Sequence, residues 1–283
     1  MQPIQAIIPG NTGHGSEPYD LKKTMERIAE ISNNAPGNEN LEDGYNCDLC
    51  KNRGYFHTVY ERNGAYYSGT RECKCIKTRA TIRQMKRSGL KDIITDYTFQ
   101  KFEATEEWQI KIKAAAVEYA KAPAGWFYIG GQSGSGKTHI CTAICREILY
   151  RGQGVRYMLW RDDVVKLKNA LVAKKPEENA QYTVMIDRLK NAEVLYIDDL
   201  FKTGKGPGGE GQRPTGGDVN VAFEILNHRY NSKLPTIISS ECTISDLMGI
   251  DEAVAGRIVE VAKTFSLKSD RSRNYRLKKA VEI

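Results

Sequence analysis

At 283 residues, the chain can hold one substantial domain and a small appendage, and its 40% hydrophobic and 27% charged composition is that of a water-borne globular protein. No apolar run approaches the ~20 residues that cross a bilayer. The opening "MQPIQAIIPG" lacks the basic flank and long apolar run of a secretory signal, so a cytoplasmic protein is expected.

The net charge of +7 is unevenly spread. Lys and Arg number three against seven Asp and Glu in residues 1–45, ten against three in 46–90, and seven against two in 263–283. A basic excess gathered in two short segments suits a surface that meets phosphate backbones, and equally a solvated basic face. Seven cysteines, an odd number, without an export signal argue against a disulfide scaffold.

Residues 1–17 are rich in Gly, Pro, Asn and Ser, and are expected to lack fixed structure. "DLKKTMERIAEIS" (20–32) predicts a helix behind an Asp20 cap, with Leu21, Met25, Ile28 and Ile31 on one face. Flanked by linkers, it must dock on its own protein or meet a partner. A flexible segment with this helix over 1–44 therefore precedes a second module over 45–90 and an α/β domain over 91–283.

Within the second module, Cys47-x2-Cys50 and Cys73-x-Cys75 form two close pairs that can close a tetrahedral zinc site, although the second gap is tighter than usual. His57 is a possible substitute ligand. Between the pairs, "GYFHTVYERNGAYYSGTR" predicts a hairpin turning at Asn63-Gly64. Its tyrosines and Phe56, interleaved with Arg53, Arg62 and Arg71, suit either stacking on single-stranded bases or packing over the metal site. A basic helical pattern follows at 77–90.

"WFYIGG" then runs as a strand into "GGQSGSGKTH" (130–139), of the form Gly-x4-Gly-Lys-Thr. Gly131, Gly134 and Gly136 free the backbone to turn its N–H groups onto phosphate oxygens. Lys137 reaches the β- and γ-phosphates, Thr138 is placed for Mg²⁺, and the following helix points its positive end at the site. Strands are predicted at 155–160, at "EVLYIDDL" and at "PTIISS". Helices alternate with them, including 251–263, "DEAVAGRIVEVAK", so a parallel sheet with helices on both faces is expected. Cys141, Cys145 and Cys242 fall at apolar positions and read as packing residues.

The strand ending in Asp198-Asp199 delivers two carboxylates to the edge where ligands bind in such sheets. Asp198 would hold Mg²⁺ and Asp199 would orient or deprotonate water. The glycine-rich stretch that follows, 201–218, is either a plain linker or an insertion touching DNA through Lys202, Lys205 and Arg213. Arg257, in "AVAGRIVEV", is a surface arginine or one that completes a neighbouring subunit's site.

Taken together, "CDLCKNRGY…CKC", "YTFQKFEA", "GGQSGSGKTH", "YIDDLF", "FEILNHRYNSKLPTIISSE" and "GRIVE" resemble the DnaC/DnaI-type helicase loaders, phage-type versions especially. These are the IstB-like branch of the AAA+ (ASCE P-loop) ATPases, and the resemblance spans about residues 45–283. It implies a slow, DNA-stimulated ATPase that binds a DnaB-type replicative helicase, delivers it onto single-stranded DNA, and self-associates through its ATP site. It implies ATP, Mg²⁺ and Zn²⁺ as cofactors. It places the nucleotide grip on Gly131, Gln132, Ser133, Gly134, Ser135, Gly136, Lys137, Thr138 and His139, and the finger on Arg257. The γ-phosphate sensor falls among Ser239, Ser240 and Glu241, where such proteins more often carry Asn. Phe99 and Phe102 become candidate adenine contacts and Arg276 a candidate late basic contact.

Three rival readings stand beside it. An IstB-like transposition helper would bind duplex DNA, a nucleotide or sugar kinase would act as a monomer on a small substrate, and an adaptor would bind ATP without cleaving it.

Overall fold

The computed structural model describes residues 20–87, 96–173, 175–204, 213–270 and 273–275. Its contacts divide the chain into two units: the described residues up to Glu39 with Asn46–Cys73, and Asn40–Tyr45 with Lys74 onward. Residues 1–17, Lys205 and Arg276 lie outside the described residues.

In the smaller unit Asp20 accepts the Lys23 N–H and starts α1 (Leu21–Asn34), as its sequence predicts. Strands β1 (Tyr55–Arg62) and β2 (Ala65–Glu72) form an antiparallel hairpin. Its two-residue turn has both φ angles positive, 53° at Asn63 and 75° at Gly64, the type I′ geometry that Asn-Gly favours. Helix α1 docks on the hairpin through a polar anchor. The Asn33 side chain accepts the His57 N–H and donates to the His57 carbonyl, as a neighbouring strand would. The expected apolar stripe is not what binds: Leu21, Ile28 and Ile31 remain exposed.

The larger unit opens with α2 (Asn40–Asp43) and α3 (Cys75–Arg87). Then follow α4 (Glu107–Lys121), β3 (Trp126–Gly131), α5 (Lys137–Tyr150), β4 (Val155–Leu159), α6 (Trp160–Leu171) and α7 (Pro176–Lys190). The chain continues through β5 (Val194–Leu200), α8 (Gly216–Asn231), β6 (Thr236–Ser240), α9 (Ile244–Ile250), α10 (Glu252–Val261) and β7 (Ala262–Leu267). The five strands are parallel in the order β4-β5-β6-β3-β7. Strands β3, β5 and β6 are buried along nearly their whole length, which is why their sequences read as continuous apolar runs. Helices α4 and α5 pack together on one side, where Phe127 meets Tyr119. The other side holds a core built on Trp126, Tyr128, Leu195 and Ile197 of the sheet, with Leu167 of α6, Ile225 of α8 and Ile258 of α10.

Three outcomes differ from the sequence reading. The helix expected over 251–263 ends at Val261, and Ala262 begins the edge strand β7, whose half-exposed side chains give no buried run to announce it. Trp160 starts α6 rather than ending β4. The basic helix α3 has a buried face: the Thr81 hydroxyl donates to the Val155 carbonyl at 2.5 Å and the Gln84 amide to that of Tyr157 at 2.9 Å. These two side chains cover acceptors on the open edge of β4.

Candidate nucleotide and metal sites

Strand β6 lies between β3 and β5, so the phosphate loop and the paired carboxylates leave the sheet one strand apart at the same edge. Gly136 caps α5 with φ 86°, and a Cβ there would stand 3.1 Å from Phe102 Cε2. A left-handed backbone against an aromatic ring leaves little but glycine. Lys137, buried at the start of α5, donates from Nζ to the carbonyls of Gly131 at 2.8 Å and Gln132 at 2.7 Å. Burial pushes its ammonium pKa down, against the pull of nearby Asp199 and Glu241. Ser135 Oγ donates to the Gln132 carbonyl, and Ser133 is exposed at the tip of the loop.

Asp198 collects hydroxyls. Thr138 Oγ1 lies 3.3 Å from its Oδ1, which also accepts from Ser239 Oγ at 2.6 Å and Tyr196 at 2.7 Å. Tyr157 donates to Oδ2 at 3.0 Å. Burial pushes the carboxyl above its ordinary range, while the bonds from Ser239, Tyr196 and Tyr157 pull the other way.

The next residues turn sharply. Asp199 and Phe201 hold positive φ angles, 60° and 61°, which non-glycine residues seldom adopt. The Asp199 N–H donates to Ser239 Oγ. Its carboxylate meets Lys202 Nζ at 2.9 Å, and the same ammonium reaches Glu241 at 3.1 Å. Lys202, which the sequence left as either a DNA contact or part of a plain linker, is thus the cation between two carboxylates; burial lowers its pKa, but the two carboxylates outweigh it and hold the pKa up. Ser239 and Ser240 are buried with committed hydroxyls, the second donating to the Leu200 carbonyl.

His139 donates from Nε2 to the Thr98 carbonyl at 2.9 Å, its ring edge-on to Tyr97 and Phe102. Phe99 and Phe102 are both buried, and Phe102 packs beside Gly136. The chain beyond β7 also meets the phosphate loop, through residues that sequence reading did not single out. Gln132 exchanges two hydrogen bonds with the Asp270 backbone, both 2.6 Å, and the Tyr275 N–H donates to the Gly134 carbonyl at 2.9 Å. Arg257, on α10, stacks over Phe223 of α8 at 4.8 Å and donates to Asn227 and to the Ala253 carbonyl.

The four thiols of Cys47, Cys50, Cys73 and Cys75 are buried, and their sulfurs lie within 4.8 Å of one another. Zinc held by four thiolates at about 2.3 Å sets neighbouring sulfurs about 3.8 Å apart. The Cys47 and Cys73 sulfurs are 3.8 Å apart, so the cluster fits such an ion. The Gly54 N–H donates to Cys50 Sγ, and the Arg79 side chain bonds Cys75. His57 is not in the cluster; its ring lies against Tyr55. Cys141 and Cys145 are fully buried packing thiols that burial holds protonated, whereas Cys242 is half-buried. Among the described residues no helix is long and apolar enough to cross a membrane.

A phosphate loop, a strand inserted between it and the carboxylates, and a sheet enclosed by helices define an AAA+-type P-loop protein. Residues 70–281 match the family described as IstB-like ATP binding protein. The chain is 32% identical to YqaM of Bacillus subtilis over 74% of its own length and 67% of that protein's. It is 30% identical to the phage-like element PBSX protein XkdC of the same organism, covering 78% and 81%. Escherichia coli replicative helicase loader DnaC is 25% identical over 59% of this chain and 62% of its own. Among solved structures, the DnaC helicase loader aligns with a TM-score of 0.51 and 18% identity over 62% of this chain and 99% of that one, which supports the fold. The chain belongs to the IstB-like ATP binding family, the DnaC/DnaI-type AAA+ ATPases.

Proposed function

We propose that the protein is an ATP-driven loader that binds a DnaB-type replicative ring helicase and delivers it onto single-stranded DNA in the cytoplasm. The observation that carries the ATP part is the meeting of Thr138 and Asp198, two oxygen ligands 3.3 Å apart beside the phosphate loop. The loading part is supported by the relationship to DnaC, which bears the name replicative helicase loader.

In this reading Lys137 leaves the Gly131 and Gln132 carbonyls for the β- and γ-phosphates of ATP, while the loop N–H groups from Gly131 to His139 cradle them. Mg²⁺ held through Thr138 and Asp198 would neutralise charge on the transferring phosphoryl group. Asp199 orients the attacking water, and Lys202, tied to Asp199 and Glu241, sets how freely that carboxylate acts. Ser239 couples the two carboxylates, since it donates to Asp198 and accepts from the Asp199 N–H. Glu241 is the sensor-position residue left facing the site edge. Phe99 and Phe102 lie on the adenine side, and Arg257 completes a neighbouring copy's site in the assembled ring. The four-cysteine cluster holds Zn²⁺. Residues 1–44 and 45–90 form the helicase-facing part and 91–283 the ATPase.

The test is ATP turnover with and without single-stranded DNA, together with copurification of a replicative helicase. Wild type should turn over slowly, respond to DNA and retain the helicase; Lys137→Ala should lose turnover. A monomer that phosphorylates a small molecule and ignores DNA would reject the reading.

A further inference from the structure

The β1–β2 hairpin sorts its side chains by charge. Phe56 pairs with Arg71, Thr58 with Gly69, Tyr60 with Tyr67 and Arg62 with Ala65. Directly opposed residues share a face and alternate residues repeat it, so all eight lie together. That face carries three aromatic rings, two arginines and no carboxylate, while Glu61 and Glu72 fall on the opposite face with His57 and Val59. Helix α1 docks along the β1 edge through the Asn33 bonds to the His57 backbone, and its Lys22 ammonium lies 6.0 Å over the ring of Tyr66 on the acidic face.

The aromatic face is left open, with Tyr60 50% exposed. Its ring is stacked on Tyr67 with centroids 5.7 Å apart and planes 20° apart. A Cβ at position 69 would stand 3.0 Å from the Tyr60 ring, so Gly69 lets that ring lie down across the strand. The Arg71 guanidinium sits 5.8 Å over Phe56. Neither Arg62 nor Arg71 forms an ion pair among the described residues.

Flat π surfaces beside uncompensated guanidinium groups call for a partner that is both planar and anionic. Single-stranded nucleic acid offers both at once, whereas a duplex hides its base faces and an acidic protein surface offers only charge. We propose that this face is a stacking platform for single-stranded DNA, with a base on the Tyr60–Tyr67 pair and the backbone phosphates on Arg62 and Arg71. The proposal rests on the loader reading for the choice of DNA and gives that strand a seat outside the ATPase core.

The test uses the full chain and fluorescence anisotropy with a short labelled oligothymidylate (~12 nucleotides), an abasic strand of equal length and a duplex. Wild type should favour the oligothymidylate over both. Tyr60→Ala with Tyr67→Ala should bind it about tenfold more weakly and lose the preference over the abasic strand, while Tyr60→Phe keeps it. Arg62→Gln with Arg71→Gln should weaken both strands and flatten the salt dependence. Zinc content equal to wild type shows that the variants are folded. Oligothymidylate binding unchanged in the tyrosine variant overturns the proposal. So does a variant that loses capture of the replicative helicase while binding oligothymidylate normally, since the face would then be a protein contact. Platform binding that persists in a chain unable to hold any helicase would support the platform and reject the loader reading alone.

Discussion

Thr138 in the first turn of α5 and Asp198 near the end of β5 meet at 3.3 Å, across the place where β6 separates their parent strands. Two oxygen donors from distant parts of the chain, both beside the phosphate loop, mark where a divalent ion would bridge protein and triphosphate. Thr138→Ala should therefore retain the fold yet lose most of the magnesium-dependent rise in melting temperature that ATP gives wild type. Differential scanning fluorimetry with ATP, with and without Mg²⁺, checks this.

Asp198 should weaken the nucleotide-free protein. Its carboxyl is held above the ordinary range, chiefly by burial, so its contribution favours folding below about pH 4 and is lost as pH rises through the elevated folded-state value. Asp198→Asn should then melt higher than wild type near pH 8, with the advantage shrinking as pH falls toward about 4. The same variant should gain nothing from Mg²⁺ and ATP. Melting curves across that range, without nucleotide, give the sign directly.

Lys202 neutralises Asp199 and Glu241 together. Replacing it with Met frees the carboxylate proposed to orient water, so basal turnover should rise several-fold and DNA stimulation should shrink. Steady-state rates at saturating ATP, with and without single-stranded DNA, decide the matter. A fall to the level of Asp199→Ala would instead make Lys202 a support for catalysis.

Arg229 is a fully buried cation with no carboxylate partner among the described residues. It donates to the carbonyls of Leu189, Lys190, Ala192 and Pro235 and to Thr236 Oγ1, and burial lowers its pKa to about 10. It ties the end of α7 to the start of β6. Arg229→Met would strand several buried acceptors and should cost ~3 kcal/mol or more, measured by urea unfolding.

Removing the metal should act locally. Cys50→Ser should abolish zinc binding and expose the hairpin region to proteolysis, while the larger unit keeps its ATP-dependent thermal shift. Zinc analysis and limited proteolysis on one sample test both halves of the expectation.

The sheet and its phosphate loop were legible because buried parallel strands appear as apolar runs, and because a glycine-rich loop between strand and helix has few other uses. The hairpin turn was equally open, since Asn63-Gly64 fits one turn geometry. Strand β7 was hidden because an edge strand of mixed exposure has no run to read. The partners of Lys202 and Gln132 were hidden for another reason: each depends on residues far along the chain, 241 for the first and 270 for the second, that only folding brings near. Likewise α1 gave away its stripe but not its anchor, because Asn33 docks by backbone-like hydrogen bonds rather than by hydrophobicity.

The most direct test of the proposed role is transfer of a closed replicative helicase ring onto circular single-stranded DNA, which offers no end to thread. With ATP the wild-type protein should leave helicase on the circle and Lys137→Ala should leave none above background. Equal loading by both, or none by wild type with a helicase it binds, would contradict the account.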